Sequence, residues 1–295
     1  MLGGEPSGHG WLGAMRLVVD SNQLQSPALR EFLRRSTSNR AVLPDFAAME
    51  AYKDDTLNSI FKSMAVVSEF PSQVVVLKGS AKACGMSGRR KGLQRRLIDE
   101  SQTSGFPEYV QALRLAQAGN LSLQRQILAL GQSANEHFDK LLQDAQDMRL
   151  VFEVLGKAYT KEERTILREQ RFYTPAMTDK LVRTLLEIVG MIFRDSPLVC
   201  RTPSYQELPN TFIFRVALAC YVMAITRAAY GGVRDVRPER LRNDLVDMMF
   251  VAYGTFFDGI LSDDKGVNRM FTEACLLLSG AFEAHVPAMD RLLQE

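Results

Sequence analysis

Three separated groups of carboxylates carry the chemistry that this chain is equipped to perform. The first is Asp20, placed directly after the apolar run Leu17-Val-Val and followed by Ser21 and Asn22. Far downstream come Asn243-Asp244-Leu-Val-Asp247 and then Gly259-Ile-Leu-Ser262-Asp263-Asp264. Each acid stands where a strand would end or a helix would begin. In an open α/β sheet those positions gather into one crevice. Carboxylates brought together repel one another unless a cation compensates them, so the set points to a divalent metal. Oxygen ligands suit Mg²⁺ or Mn²⁺, which neutralises a phosphate and turns bound water into a nucleophile. Asp244 and Asp247 lie at i and i+3, on one face of a helix. Plainer readings stand beside this one: Asp244 as a helix cap, and Asp263-Asp264-Lys265-Gly266 as an ordinary turn.

Other chemistries have less support. The four cysteines, Cys84, Cys200, Cys220 and Cys275, form no CxxC pair and read as reduced thiols of a cytosolic protein. The three histidines, His9, His137 and His285, are too scattered for a histidine metal site. No GxSxG elbow supports a serine hydrolase.

The elements that must position the acids follow from periodicity and punctuation. Leu17-Val-Val, Ala41-Val-Leu and Val74-Val-Val-Leu77 read as buried parallel strands. Ser26-Pro27 starts a helix to Arg35, and Asp45 caps a long helix expected over Phe46 to Met64. The chain therefore opens β-α-β-α-β, which implies a parallel sheet with right-handed crossovers. From about 106 to 193 only helical periodicity is seen, with amphipathic segments at 121–130 and 138–159 and a cap at Thr174 before Pro175. The α/β pattern resumes with helices over 210–230 and 238–257, a fourth strand at 258–262 and a helix over 267–282. His285-Val-Pro287 is expected to form a short last strand.

On these residues the chain resembles the PIN-domain nucleases. Leu17-Val-Val-Asp20-Ser-Asn22 is similar to their opening strand and D-x-N, and 243–264 is similar to their closing block. The resemblance implies a three-layer α/β/α PIN-like domain with a central parallel sheet, built discontinuously from 15–80 and 205–295. A mostly helical insertion would occupy 80–205, with a flexible tail at 1–14. It implies metal ligands at Asp20, Glu50, Asp247 and Asp264, with Asp244 and Asp263 as close rivals and Asp45 as the rival of Glu50. Asn22 and Ser262 would support them, Ser262 standing where the family commonly has threonine. The activity implied is a Mg²⁺/Mn²⁺-dependent endoribonuclease, RNA being favoured over DNA by the family alone. Such proteins often serve as toxins or defence effectors, which implies a cytoplasmic protein with a cognate inhibitor or defence partner; a homodimer is compatible with this. A catalytically inactive module, whose helical insertion binds a regulatory partner, is the alternative.

The basic stretch Arg89-Arg90-Lys91-Gly-Leu-Gln-Arg95-Arg96 is the expected nucleic-acid contact, its plainer reading being a solvated loop. Arg234, Arg237, Arg240 and Arg242 surround the entrance to the acidic helix, either to hold a phosphate backbone or to balance the acids. With 295 residues, a net charge of +2 and 46% hydrophobic content, the chain has material for one large domain or two small ones. The longest apolar stretch, 211–225, contains Arg215 and falls short of a bilayer span. Residues 1–14 lack the n- and h-regions of a signal peptide, and Met15 reads as a natural start.

Overall fold

A computed structural model of the chain describes residues 14–52, 57–169, 173–195, 201–230 and 237–292. At its centre is a four-stranded parallel sheet of β1 (Arg16–Val19), β2 (Arg40–Leu43), β3 (Val74–Val76) and β4 (Gly259–Leu261). The strand order is β3-β2-β1-β4. Val18 is in register with Val42 on one side and Ile260 on the other, and Val42 with Val75. Runs this apolar suit strands that are buried on both faces.

Alternation along the strands divides two hydrophobic clusters. Val19, Ala41, Leu43 and Val74 face α1 (Pro27–Arg35), α3 (Leu57–Glu69) and α7 (Phe106–Gln117). Val18, Val42 and Val75 face Phe212 of α11 (Phe212–Ala229) and Phe250, Tyr253 and Phe257 in and after α12 (Pro238–Gly254). Helices thus cover both faces of the sheet. The crossover helices start where their caps dictate. Ser26 Oγ accepts from Leu29 N at 3.0 Å with Pro27 in the first turn, and Thr211 Oγ1 accepts from Phe214 N at 3.2 Å.

Three local expectations change. The helix expected over 46–64 is described as two, α2 (Asp45–Tyr52) and α3, with 53–56 outside the described residues. The segments at 121–130 and 138–159 are one helix, α8 (Leu121–Lys157), because nothing between them stops propagation; Gly131 weakens a helix but does not end it. Residues 285–287 form no strand. Pro287 instead opens α14 (Pro287–Leu292), and the Val286 carbonyl accepts from Met289 N at 3.0 Å as the first helical acceptor. Residues 1–13, Cys200 and Arg234 lie outside the described residues.

The helical middle shares the interior with the α/β elements. Phe106, Val110, Ile127 and Ala134 belong to the cluster that includes Val19 and Leu43. Phe152 and Leu155 of α8, with Met177, Leu181 and Leu185 of α10 (Pro175–Asp195), pack with α11, α12 and α13 (Lys265–Gly280). Long and apolar enough by composition to cross a membrane, α11 is nevertheless 67% buried within the protein. Cys84, Cys220 and Cys275 are free thiols.

Gly254 sets the distance between α12 and the sheet. A Cβ there would lie 2.3 Å from Ile260 Cγ1, so only glycine lets the end of α12 rest directly on β4. That approach fixes where the acids of α12 stand relative to the acids after β1 and β4.

Candidate functional site

The strand order creates a switch point. From β1 the chain steps outward to β2 and β3, then returns to place β4 on the other side of β1. The sheet therefore changes direction between β1 and β4, and the crevice at their carboxyl ends is the position where open α/β sheets hold ligands.

Asp20 follows β1 at that position and is 3% exposed. Its N–H donates to Leu261 O at 3.1 Å, which locks it against β4. Ser262 Oγ donates to Asp20 Oδ2 at 2.6 Å and accepts from Asp264 N at 3.1 Å. One hydroxyl thus ties together the acids that end the two strands. Ser21 Oγ and Asn22 N both donate to Asp20 Oδ1 at 3.3 Å. Asn22 supports Asp20 through its backbone N–H, while its side chain is exposed. Asp264 caps α13, Oδ1 accepting from Gly266 N at 2.6 Å and Val267 N at 3.1 Å. The cap at Asp264 and the turn at 263–266 are therefore real, but they belong to a residue that also faces the other acids.

Asp247 stands at the focus. Burial pushes its carboxyl up from 3.8 to about 8, and the charges of Asp20, Asp264, Asp244 and Glu50 push in the same direction. Four carboxylates brought from four separate elements act on one residue. Asp244, one turn earlier on α12, is bound by Arg227 of α11. Both carboxylate oxygens accept from Arg227 Nη2, one of them at 2.5 Å. Burial still pushes Asp244 upward, against the pull of that guanidinium. Asp263 is exposed.

Glu50 and its rival Asp45 part company on α2. Asp45 Oδ1 accepts from Phe46 N at 3.0 Å and Oδ2 from Ser80 N at 2.7 Å, so it anchors the segment after β3. Its charge is felt at Cys84 and Tyr253, whereas that of Glu50 is felt at Asp247. Gln23, three residues after Asp20 and 2% exposed, has an Oε1 that accepts no hydrogen bond. Hard oxygen donors in excess of N–H and O–H partners fit a hard divalent cation. Among the described residues, no group of three Asp, Glu, His or Cys side chains is arranged to hold one ion. In the arrangement seen, Asp20, Asp264 and Asp244 direct oxygens to Ser262, to the α13 backbone and to Arg227 instead.

The structure separates the basic stretch from these acids. Gln94, within α5 (Leu93–Leu97), donates to Phe256 O at 2.8 Å and accepts from Arg16 Nη1 at 3.1 Å. Arg16 begins β1 and Phe256 precedes β4, so α5 is held at the amino edge of the sheet, opposite Asp20. Arg96 donates to the carbonyls of Ser87, Arg89 and Lys91 and clasps its own loop. Arg95 pairs with Glu100 at 3.1 Å. Lys91 is exposed, and Arg89 and Arg90 line a cavity of about 640 Å³ with Glu207 and His285. Arg242, half-buried on α12, donates to Asn243 Oδ1 at 3.3 Å.

The cations felt at Asp244 are Arg227 and Arg240. Lys161, Arg164 and Arg168 of α9 (Lys161–Arg168) line a groove with the end of α11, and Arg269 of α13 donates to Leu167 O of α9 at 3.3 Å. Two signals were present in the sequence. Arg227 is one of two charges in a mostly apolar helix, the other being Arg215, and 161, 164 and 168 follow helical spacing on one face. Comparison with protein-family models, curated proteins and solved structures gave no match for this chain.

Proposed function

We propose that this protein is a divalent-metal-dependent nuclease of PIN-like, three-layer α/β/α architecture, hydrolysing phosphodiester bonds in RNA. The observation that supports this best is the convergence of Asp20, Glu50, Asp244 and Asp264 on Asp247 at the switch point of a parallel sheet. Asp20, Glu50, Asp247 and Asp264 are the residues that would hold Mg²⁺ or Mn²⁺. The ion supplies charge neutralisation at the phosphate and a lowered pKa for bound water. Asp20 is aimed by Ser262, whose hydroxyl also receives the Asp264 N–H, so one side chain sets the distance between two ligands. Arg227 compensates Asp244 and leaves the other acids to the cation. Gly254 holds α12 on β4 and so holds Asp247 over the crevice. The RNA preference and a role as toxin or defence effector, with a cognate inhibitor or defence partner, rest on the family resemblance.

The test is cleavage of single-stranded RNA by purified protein with Mn²⁺, alongside Asp20→Asn and Asp247→Asn. Both variants should lose cleavage by at least about a hundredfold, the loss typical of a removed catalytic group. Cleavage that survives both substitutions refutes the assignment. Absence of Mn²⁺ binding by calorimetry would leave the inactive-module reading instead.

A further inference from the structure

The cations on α9 do not occur in isolation. Lys161, Arg164 and Arg168 line an open groove of about 450 Å³ together with Ala228, Ala229 and Tyr230 at the end of α11. Lys161 and Arg168 are exposed. Tyr230 is 54% exposed. Arg269 donates to Tyr230 OH at 2.7 Å, and its guanidinium lies 5.3 Å from the ring centroid. Tyr230 OH in turn donates to Arg168 O at 3.2 Å. The ring is therefore held in place by α9 and α13 while a large part of it remains in solvent.

This groove adjoins the carboxylates. Tyr230 lies three residues beyond Arg227, which binds Asp244, a rise of roughly 4.5 Å along the helix. Arg269 of α13, the helix that Asp264 caps, donates to Leu167 O of α9 at 3.3 Å, so α9 packs beside that helix. The groove with its exposed ring thus begins one helical turn from the Arg227–Asp244 pair. A polyanion could not approach the acids alone, because like charges repel; the groove's cations supply the opposite field.

We infer that the α9 face, formed by Lys161, Arg164 and Arg168 with Arg269 and Tyr230, is the surface that holds single-stranded nucleic acid beside the carboxylate crevice. The inference rests on the nuclease reading for the purpose of the surface, but binding is measured apart from cleavage. Cations at helical spacing match a phosphate backbone, and an exposed ring offers a stacking platform of the kind single strands use. A duplex has its bases stacked already and cannot use Tyr230 in this way.

The experiment is fluorescence anisotropy of a labelled single-stranded RNA oligonucleotide on the full chain, in EDTA so that no cleavage occurs. The variants are Lys161→Glu/Arg168→Glu, Tyr230→Ala and Arg89→Glu/Arg90→Glu, with thermal melting of each as a check on folding. Lys161→Glu/Arg168→Glu should weaken binding at least about tenfold and lower the salt slope by roughly 1.4, the value for two phosphate contacts to a single strand. Tyr230→Ala should weaken binding about five- to tenfold without changing the salt slope. Arg89→Glu/Arg90→Glu should still bind. Unchanged binding in the folded α9 and Tyr230 variants overturns the inference, as does loss confined to the Arg89/Arg90 variant. A polyglutamate peptide that competes as well as the RNA also overturns it, since the surface would then fit an acidic protein. If RNA binds through α9 but is not cleaved with Mn²⁺, the nuclease reading fails and the binding surface stands.

Discussion

Replacing Asp247 by Asn should change how stability depends on pH. Burial and four neighbouring carboxylates raise its carboxyl from 3.8 to about 8. The folded chain therefore keeps this proton up to about pH 8, while the unfolded chain releases it near pH 4. Between those values the unfolded state binds fewer protons, so stability is highest at the acid end and falls as pH rises through the window. One proton corresponds to about 1.4 kcal/mol per pH unit, which caps the loss over three pH units at roughly 4 kcal/mol. Water reaches this half-buried group and screens it, so a loss of roughly 1–3 kcal/mol is expected. Asparagine keeps the volume and cannot ionise, so Asp247→Asn removes this part of the slope. The assay is urea unfolding of both proteins in EDTA at several pH values between about 5 and 8, the stability difference being read against pH. The variant should match the parent at the acid end and exceed it at the alkaline end. Mn²⁺ reverses that order, because a cation must displace the proton and repays the repulsion. Its apparent affinity for the parent should rise by up to about tenfold per pH unit below pH 8, and the variant should gain little stability from the ion. Parallel curves for parent and variant in EDTA would refute the convergence of charge on Asp247.

The two acids of α2 should separate by assay. Glu50→Gln should reduce Mn²⁺ binding and RNA cleavage while melting near the parent temperature; Asp45→Asn should keep both activities and lose about 1 kcal/mol of stability, because Ser80 N loses a charged acceptor. A loss of Mn²⁺ binding in Asp45→Asn alone would reverse the assignment. Arg215 is 1% exposed, lies 3.9 Å from the Phe256 ring centroid, and donates to the carbonyls of Pro209, Thr255 and His285. An ammonium cannot reach three divergent carbonyls, so Arg215→Lys should destabilise by about 3 kcal/mol, seen as a lower urea midpoint with unchanged slope. An unchanged midpoint would show that these carbonyls find other donors.

What could be read from the sequence, and what could not, divides along one physical line. The four strands were legible because strands buried on both faces must be apolar along their whole length, as Leu17-Val-Val and Val74-Val-Val are. Asp20 and Asp264 were legible because acids collect at the ends of elements. Choices that depend on direction around a helix were not. Asp45 and Glu50 are five residues apart, which turns them about 140° from each other, so one reaches Ser80 and the other the crevice. Asp244 and Asp247 share a face, yet their fates differ because Arg227 arrives from a neighbouring helix, which no periodicity within α12 reveals. The same line explains the basic stretch. Five cations within eight residues are conspicuous as a string, but Gln94 ties that string to Arg16 and Phe256 at the far edge of the sheet. The cations of α9 are spread over two turns and interrupted by Glu162 and Glu163, which hides them as a string and unites them as a face. Density along the chain measures charge per residue, whereas a phosphate backbone responds to charge per unit of surface. The acids at the strand ends come from the α/β elements, whereas the cations of the α9 groove come from a helix of the middle segment. Attraction of a polyanion to this crevice must therefore depend on α9 and on the packing of α8 and α10 that holds it against α11 and α13.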